Sequence, residues 1–369
     1  MKENQAIAKT GKIIPLFIGI LLSSCGFHDF PSSSLSGSFS SPNFSSFSET
    51  SSSPIDSSSS TSSAENNAIE LISDPTFKTG FYLKSPETTN VYTERHFDYQ
   101  GTATPNQQVW NMAQWWTPFN FGLASETRVA DHQYRYENES RYFEVNSETG
   151  AMSFGLDSWK EYQKKFGGSR TSGSQNWSHF LLEQDFQNSV HLSQLASLDC
   201  GLKFSINKAQ LFDEEHYTPS LHAAQFLWYF IVQNVVPDGS DPALVGTNGD
   251  FLWFGVPLYD NRSDYMPVFA NYDGGFTGAT NKLIYCMDNR EYLPVNVGKP
   301  LVIGQSYTID VDILPAIKDA FVNGKKFGAL SNCQFQNMQV GYMNFGWELP
   351  GSFAVDCSIA DWSVMARYE

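Results

Sequence analysis

Glu348 lies in the stretch NFGWELPGSFAVDCSIADWSV (344–364), whose alternation predicts two strands joined by a turn. A turn with an odd number of residues would keep the apolar sets of both strands on one face. That register places Glu348 and Asp356 together on the other face as diagonal neighbours, with Cα atoms about 7–8 Å apart. Two carboxyl groups at this spacing could bind or protonate the hydroxyl groups of a ligand.

Amide and aromatic side chains accompany these acids. Tyr342 and Asn344 share the Glu348 face of the first strand, while Trp253 and Tyr259 belong to another apolar strand. Aromatic rings stack on the C–H face of a sugar, and amides and acids bind its hydroxyls. The pattern therefore predicts a sugar site. A solvated sheet face is the alternative for the polar residues, and core packing is the alternative for the two rings.

A second polar cluster occurs in NWSHFLLEQDF (176–186). If this segment is a strand, His179 and Glu183 share one face and could bind substrate, and a lyase could use the histidine as its base. Arg170 would then neutralise the carboxylate of a uronic acid. A loop that leads into an amphipathic element fits the pattern better.

The elements that would position these residues are mostly strands. Period-two alternation predicts strands over 202–206 and 307–313, and a hairpin over 141–156. The runs 223–232 and 249–259 are apolar on both faces, which is typical of strands in the middle of a covered sheet.

Helical periodicity is limited to two segments. Residues 313–326 carry an apolar stripe, with Pro315 near the start and Gly324 as the expected C-cap. Residues 106–116 predict a second helix. Many strands with one or two short helices predict an all-β fold, an antiparallel β-sandwich of the jelly-roll type, in a single domain over 69–369.

The segment 310–369 resembles the C-terminal part of the concanavalin A-like lectin/glucanase superfamily of jelly rolls, in particular the endoglucanase and xyloglucanase type. The resemblance consists of a short amphipathic helix, a penultimate strand with an acid beside an aromatic residue, and a final strand. It implies that Glu348 is the acid/base of a glycoside hydrolase. The family's nucleophile is a glutamate in an apolar strand that also carries a tryptophan.

The nearest candidate for that nucleophile is Asp250, three residues before Trp253 and one methylene shorter than a glutamate. A retaining mechanism needs carboxyl groups about 5–5.5 Å apart, and an inverting one needs about 6.5–9.5 Å. The shorter side chain argues against retaining hydrolysis. An inverting pair of Glu348 with Asp356 or Asp250 remains open.

The N-terminus predicts export. Three lysines flank an apolar run of ten residues (13–22), which is too short to span a bilayer and suits a signal peptide. The following LSSC (22–25) resembles the lipobox of bacterial lipoproteins. It implies cleavage after residue 24 and a lipid on Cys25 that anchors the chain to the extracytoplasmic face of the cell membrane. A plain secretory signal is the alternative.

A tether follows the lipobox. Between residues 31 and 63, 19 of 33 residues are serine, so the segment 25–68 cannot bury enough apolar surface to fold. Removal of the signal leaves 20 basic and 38 acidic residues, a net charge of −18. Such a surface repels nucleic acid and polyanionic glycans and favours neutral or cationic partners.

The remaining cysteines and acidic turns give no definite site. Four cysteines besides Cys25 could stay buried as thiols or form one or two disulfides. The turns at 236–242 and 259–265 hold closely spaced Asp and Asn, which either bind calcium or form the turns themselves. No metal or other cofactor is otherwise predicted.

These observations favour a membrane-anchored surface lipoprotein whose jelly roll binds a neutral oligosaccharide or polysaccharide. A glycoside hydrolase or polysaccharide lyase that uses Glu348 as its acid/base is the first alternative. A structural or adhesive surface protein without a glycan site is the second.

Overall fold

The computed structural model of the protein describes residues 67–84, 95–103, 108–237, 239–273 and 280–369. The predicted signal peptide, Cys25 and nearly all of the serine-rich tether lie outside these residues. No helix in the described ranges has the length and apolar character needed to cross a membrane.

The described residues contain seventeen strands and three α-helices. The strands are β1 (Ala68–Glu70), β2 (Phe81–Lys84), β3 (Arg95–Phe97), β4 (Trp110–Ala113), β5 (Ser125–Ala130), β6 (Gln133–Glu137), β7 (Arg141–Asn146), β8 (Met152–Asp157), β9 (Ser178–His191), β10 (Leu195–Leu211), β11 (Gln225–Asn234), β12 (Phe251–Asp260), β13 (Phe269–Tyr272), β14 (Leu283–Cys286), β15 (Ser306–Asp312), β16 (Met338–Leu349) and β17 (Phe353–Tyr368). The helices are α1 (Ser158–Phe166), α2 (Pro242–Val245) and α3 (Leu314–Lys326).

The strands form two sheets packed face to face. The eight-stranded sheet has the order β15-β10-β17-β8-β7-β6-β5, with β1 paired to β17. The nine-stranded sheet has the order β13-β14-β12-β11-β16-β9-β4-β2-β3. Apart from the parallel pairs β12–β14 and β2–β4, the pairings are antiparallel. The predicted all-β fold, an antiparallel jelly-roll sandwich, is confirmed.

Aromatic side chains fill the space between the sheets. On β16, Phe345 and Trp347 are fully buried and alternate with residues of the opposite face. The Phe345 ring lies 4.6 Å from that of Trp362 on β17, and the Trp228 ring of β11 lies 5.6 Å from Trp362. Each large ring buries 150–250 Å². These contacts fix β11 and β16 from the core side. They thereby hold in place the side chains on the outer face of the two strands.

The predicted strands occur where the alternation placed them. Residues 141–156 form the β7–β8 hairpin, and 202–206 and 307–312 lie in β10 and β15. The runs 223–232 and 249–259, which are apolar on both faces, correspond to β11 and β12. These two strands pair with each other inside the nine-stranded sheet. Their outward side chains, among them Tyr229 and Trp253, pack in a separate apolar cluster with Ile284 of β14.

The helix predictions were partly right. Helix α3 is confirmed with Pro315 in its first turn, but it continues to Lys326, and Gly324 lies inside it instead of capping it. A Cβ atom at Gly324 would lie 3.3–3.4 Å from Leu330 and Leu283, so this glycine lets the helix pack closely. The helix predicted over 106–116 is wrong: it contains β4, which hydrogen-bonds to β2 and β9.

The predicted pairing of the last two strands is also wrong. Strand β16 pairs with β11 and β9, whereas β17 pairs with β10, β8 and β1, so the turn at 350–352 carries the chain from one sheet to the other. The alternation was read correctly, because both apolar faces point into the core. Period-two patterning fixes the face of a strand but not its neighbour. Asp356 therefore lies on the outer side of the opposite sheet, where Tyr142 and Asn207 donate hydrogen bonds to it.

Candidate functional site

Glu348 lies on the outer face of the nine-stranded sheet, near the end of β16. Directly opposite it stand Gln225 on β11 and His179 on β9. Gly346 separates Glu348 from Asn344 on this face, at a φ of 149°, and a Cβ atom there would lie 2.3 Å from the Phe180 carbonyl oxygen. The absence of a side chain at residue 346 thus lets β9 and β16 approach closely beside Glu348.

Burial dominates the electrostatics of Glu348, whose exposed fraction is 1%. Desolvation raises the pKa of its carboxyl to about 8, and the nearby negative charge of Asp273 adds to the rise. The Trp177 indole N–H lowers this pKa, although it does not reach full hydrogen-bond geometry. Glu348 is therefore mostly protonated at neutral pH and can donate a hydrogen bond or a proton.

His179 is held between two indole rings. Its ring centroid lies 5.6 Å from that of Trp115 and 5.7 Å from that of Trp177. Its Nδ1 lies 3.0 Å from the Trp177 carbonyl oxygen, which can only accept, so Nδ1 carries the proton. Nε2 then faces Glu348 Oε2 across 3.6 Å. This distance is longer than a hydrogen bond.

Gln225 is fixed from its other side. Its Nε2 donates to Asp260 Oδ2 over 3.0 Å, and Arg262 binds both oxygens of Asp260 at 2.6–2.9 Å. The arginine compensates the charge of Asp260, and Asp260 in turn fixes the amide of Gln225. Glu348 has Gln225 opposite it on β11 and His179 opposite it on β9. Neither of these two residues carries a carboxylate.

A second polar group lies further along the same face. Asn344 and Glu183 are direct partners across β16 and β9, and their exposed fractions are 2% and 3%. Burial raises the pKa of Glu183, and Lys84, whose Nζ lies 3.8 Å from Oε2, opposes that rise. Tyr342 follows on β16 with its hydroxyl near Glu183.

Several buried polar atoms on this face accept or donate no hydrogen bond within the described part of the chain. They are Glu348 Oε2, Trp177 Nε1, Asn344 Nδ2, Glu183 Oε1 and Trp253 Nε1. Buried polar groups are almost always hydrogen-bonded, because an unsatisfied one costs about 1–3 kcal/mol. Their concentration on one face indicates a place where a hydroxyl-rich ligand or ordered water completes the set.

An apolar cluster adjoins these polar groups. Trp253 packs there with Tyr229 and Phe251, and its ring lies 6.4 Å from Tyr342. Tyr229 is the register partner of Asn344, so the rings stand beside the amide. Polar side chains and aromatic rings thus lie next to each other on the outer face of β11, β12 and β16.

The structure does not bring the remaining predicted residues to this face. Tyr259 packs on the core side, with its ring 6.3 Å from Trp347. Asp250 binds Lys282 at 2.8 Å and precedes β12 at the end remote from Asp260. Ten residues of strand separate the two, about 30 Å, so Asp250 cannot form a carboxylate pair with Glu348. Asp356, on the opposite sheet, cannot either.

Described residues of both acidic turns have structural partners, and Asp238 lies outside the described ranges. Asp241 accepts a hydrogen bond from the Ala243 N–H at the start of α2, and Asn261 accepts one from the Ala224 N–H. Within the described ranges, no group of three or more His, Cys, Asp or Glu side chains is placed to hold a metal ion. Cys200, Cys286, Cys333 and Cys357 are buried free thiols.

A cavity of about 330 Å³ opens elsewhere, on the outer side of the eight-stranded sheet. Serine side chains from four strands are half of its polar lining residues: Ser153, Ser205, Ser306 and Ser358. It lies on the far side of the sandwich from Glu348. It is therefore not part of the candidate site.

Sequence reasoning missed Gln225 and Asp273. Gln225 is the one polar residue within the run AAQFLWYF (223–230), and that isolation was a signal. His179 and Glu183 do share a face, because the segment 178–191 is a strand, the alternative that we had favoured less. Asp273 is fully buried and accepts two hydrogen bonds from Thr280, which nothing in its sequence context indicated.

No family model and no curated protein sequence matches the chain. Among solved structures, an endoglucanase from Rhodothermus marinus is 11% identical, with 67% of this chain and 97% of that chain covered and a TM-score of 0.35. A family 12 xyloglucanase from Bacillus licheniformis is 10% identical, with 66% and 100% covered and a TM-score of 0.37. The xyloglucanase domain of a type three effector from Sinorhizobium fredii, solved with cellobiose, is 11% identical, with 68% and 100% covered and a TM-score of 0.33. At these scores the similarities carry no argument about function, which has to come from the site itself.

Proposed function

We propose that the outer face of the nine-stranded sheet binds an uncharged glycan. The observation that carries the proposal is the set of unsatisfied buried polar atoms around Glu348 and Asn344, next to the Trp253 cluster. Sugar hydroxyls both donate and accept, so they can satisfy a protonated carboxyl and an amide alike. The protonated Glu348 and the amides of Gln225 and Asn344 carry no charge at neutral pH, which suits a neutral ligand.

The spacing of these groups favours a chain of sugars over a single ring. Glu348 and Asn344 are four residues apart on β16, which corresponds to about 13 Å along the strand. One pyranose ring is too short to reach both. We therefore propose an oligosaccharide or polysaccharide as the ligand, with contacts at both positions.

The affinity test uses Asn344, whose Nδ2 accounts for one of the unsatisfied donors. Asn344→Ala is expected to weaken binding to soluble neutral α- and β-linked glucans, mannans, galactans or xylans by about tenfold, since a hydrogen bond contributes about 1–1.5 kcal/mol. Isothermal titration calorimetry measures the change. Asn207→Ala, on the opposite sheet, is the control and should bind like the wild type. Absence of binding to every glycan on the panel would contradict the proposal.

Hydrolysis is the second candidate function, favoured by one observation. A carboxyl with a pKa of about 8 is a competent general acid, and the buried Asp273 acts on it as a second negative group. Release of reducing ends by the wild-type protein, lost in Glu348→Gln, would establish it. Binding with no reducing ends would leave the first candidate alone.

We also propose that the chain acts outside the cell, held to the membrane by a lipid on Cys25, as the LSSC box implies. Cys25→Ser is expected to abolish metabolic labelling with a radioactive fatty acid and to move the protein from the membrane to the soluble fraction, because one site carries the anchor. Cys200→Ser, at a buried thiol, should leave labelling unchanged. Equal labelling of the wild type and Cys25→Ser would contradict the proposal.

A further inference from the structure

We infer that Gln225 is the residue that keeps this site from hydrolysing the glycan it binds, and that a carboxylate at position 225 would complete a retaining glycosidase pair with Glu348. The inference rests on the proposed function, because it presupposes that a glycan reaches Glu348. The proposed role of Gln225 depends on its position opposite Glu348 in the sheet.

The sheet register places position 225 next to Glu348. Gln225 and Glu348 are direct partners across the antiparallel strands β11 and β16, so their side chains leave the sheet on the same face. Directly opposite residues have Cβ atoms about 4.5–5.5 Å apart. Retaining enzymes hold their two carboxyl groups about 5–5.5 Å apart, and inverting ones hold them further apart to admit a water molecule. Position 225 is therefore a place on β11 from which a carboxyl group can come within this distance of Glu348.

The side chains of Glu348 and Gln225 together lack one component of a retaining pair. Glu348 supplies a buried proton donor, which is one half of a retaining pair. The amide of Gln225 cannot supply the other half, because it is uncharged and its nitrogen lone pair is delocalised into the carbonyl. Its Nε2 is also engaged with Asp260. On the other side of Glu348, His179 offers no carboxylate.

The reaction of a Gln225→Glu variant balances as follows. The new carboxylate attacks the anomeric carbon while the glycosidic C–O bond breaks and its oxygen takes the proton of Glu348. Water then attacks the same carbon, returns one proton to Glu348 and breaks the glycosyl ester. The net change is hydrolysis with retention of configuration, without any further reactant.

The surroundings of position 225 already hold one compensated charge, the Asp260–Arg262 pair. The new carboxylate would stand beside Asp260, but Arg262 already binds both oxygens of that aspartate. A companion substitution, Asp260→Asn, removes the like charge and offers an amide donor in its place. The two variants together separate a failure of chemistry from a failure caused by repulsion.

The experiment compares the wild type, Gln225→Glu and Gln225→Glu/Asp260→Asn on each neutral polysaccharide that the wild type binds. We expect reducing-end release at least about 100-fold above the wild type, because removal of a catalytic nucleophile costs more than this factor. Proton NMR of the first product should show the configuration of the substrate. Gln225→Glu/Glu348→Gln should be inactive, and Gln233→Glu, on the same strand but remote from Glu348, should stay at the wild-type level.

Each outcome supports or contradicts the role of Gln225. Turnover by the wild type, or folded variants that bind glycan and release no reducing ends, would overturn the inference while leaving glycan binding intact. Absence of binding by the wild type would contradict the proposed function and the inference with it. If Gln225→Glu does not fold, Gln225→Ala with added sodium formate supplies the missing carboxylate from solution. Formate-dependent turnover supports the inference, and its absence in a folded, glycan-binding protein overturns it.

Discussion

Replacement of Arg141 by methionine is expected to lower the free energy of unfolding by about 3–5 kcal/mol, because it leaves a buried charge without its partner. The Arg141 and Glu161 side chains are fully buried, with Nη2 2.8 Å from Oε1. Burial lowers the pKa of Arg141, and the charge of Glu161 opposes that effect. Hydroxyls of Thr117, Ser140 and Ser178 also donate to this carboxylate, so its hydrogen bonds converge on one place.

Urea denaturation measures the loss. Arg135→Met is the matched control, since Arg135 pairs with Glu137 at a partly exposed position, where an ion pair contributes about 0–1 kcal/mol. Arg141→Met/Glu161→Leu should recover part of the loss by removing the remaining charge. Equal stability of Arg141→Met and the wild type would contradict this prediction.

The Arg141 pair also supports the candidate site. Arg141 Nη1 donates to the carbonyl oxygen of His179 over 2.7 Å, and Ser178 is the residue before it on β9. The start of β9 is thus fixed from the core side while His179 faces Glu348 on the outer side. Any loss of glycan affinity in Arg141→Met should therefore exceed that in Arg135→Met.

The second large effect concerns pH. Below pH 4.5, Glu348 is protonated in the folded and the unfolded chain, so it contributes no pH dependence there. Between 4.5 and about 8 the unfolded chain has released the proton and the folded chain retains it, so stability falls as pH rises. At 1.36 kcal/mol per pKa unit, the rise from 4.5 to about 8 corresponds to roughly 5 kcal/mol.

Glu348→Gln removes this dependence, because an amide has nearly the same shape and no proton to lose. The difference in unfolding free energy between Glu348→Gln and the wild type should grow in favour of the variant from pH 4 to pH 9, by roughly the same 5 kcal/mol. Other titrating groups occur in both proteins and cancel. Guanidinium denaturation at several pH values provides the measurement. A difference that stays constant with pH would mean that Glu348 ionises normally in the folded protein.

Much of the fold was predictable from local pattern. Alternation predicted β10 and β15, runs that are apolar on both faces predicted β11 and β12, and the turn residues predicted the β7–β8 hairpin. The partner of β16 was not predictable in this way, because two consecutive strands in opposite sheets show the same alternation as a hairpin in one sheet. The helix predicted over 106–116 was wrong because β4 pairs with two neighbouring strands. This pairing overrode the helical spacing of the apolar residues.

The candidate site was predictable in its residue types and only partly in its geometry. Glu348, Asn344 and Tyr342 share a face because even numbers of positions separate them on one strand. The identity of the opposing residues depends on β9 and β11, which are far away in sequence. Gln225 could not be selected as the partner of Glu348 before the register of these strands was known.

The short first strand determines how the domain would sit above a lipid surface. Ala68 of β1 pairs with Arg367 near the end of β17, and Tyr368 N–H donates to the Asn67 carbonyl oxygen over 2.9 Å. Strand β17 has 16 residues, about 50 Å of extended chain, and it begins just after the turn that follows Glu348. For a chain attached through Cys25, the stalk would join the pole of the sandwich farthest from this acid. A long polysaccharide could then approach from the distal pole without passing between the protein and the bilayer.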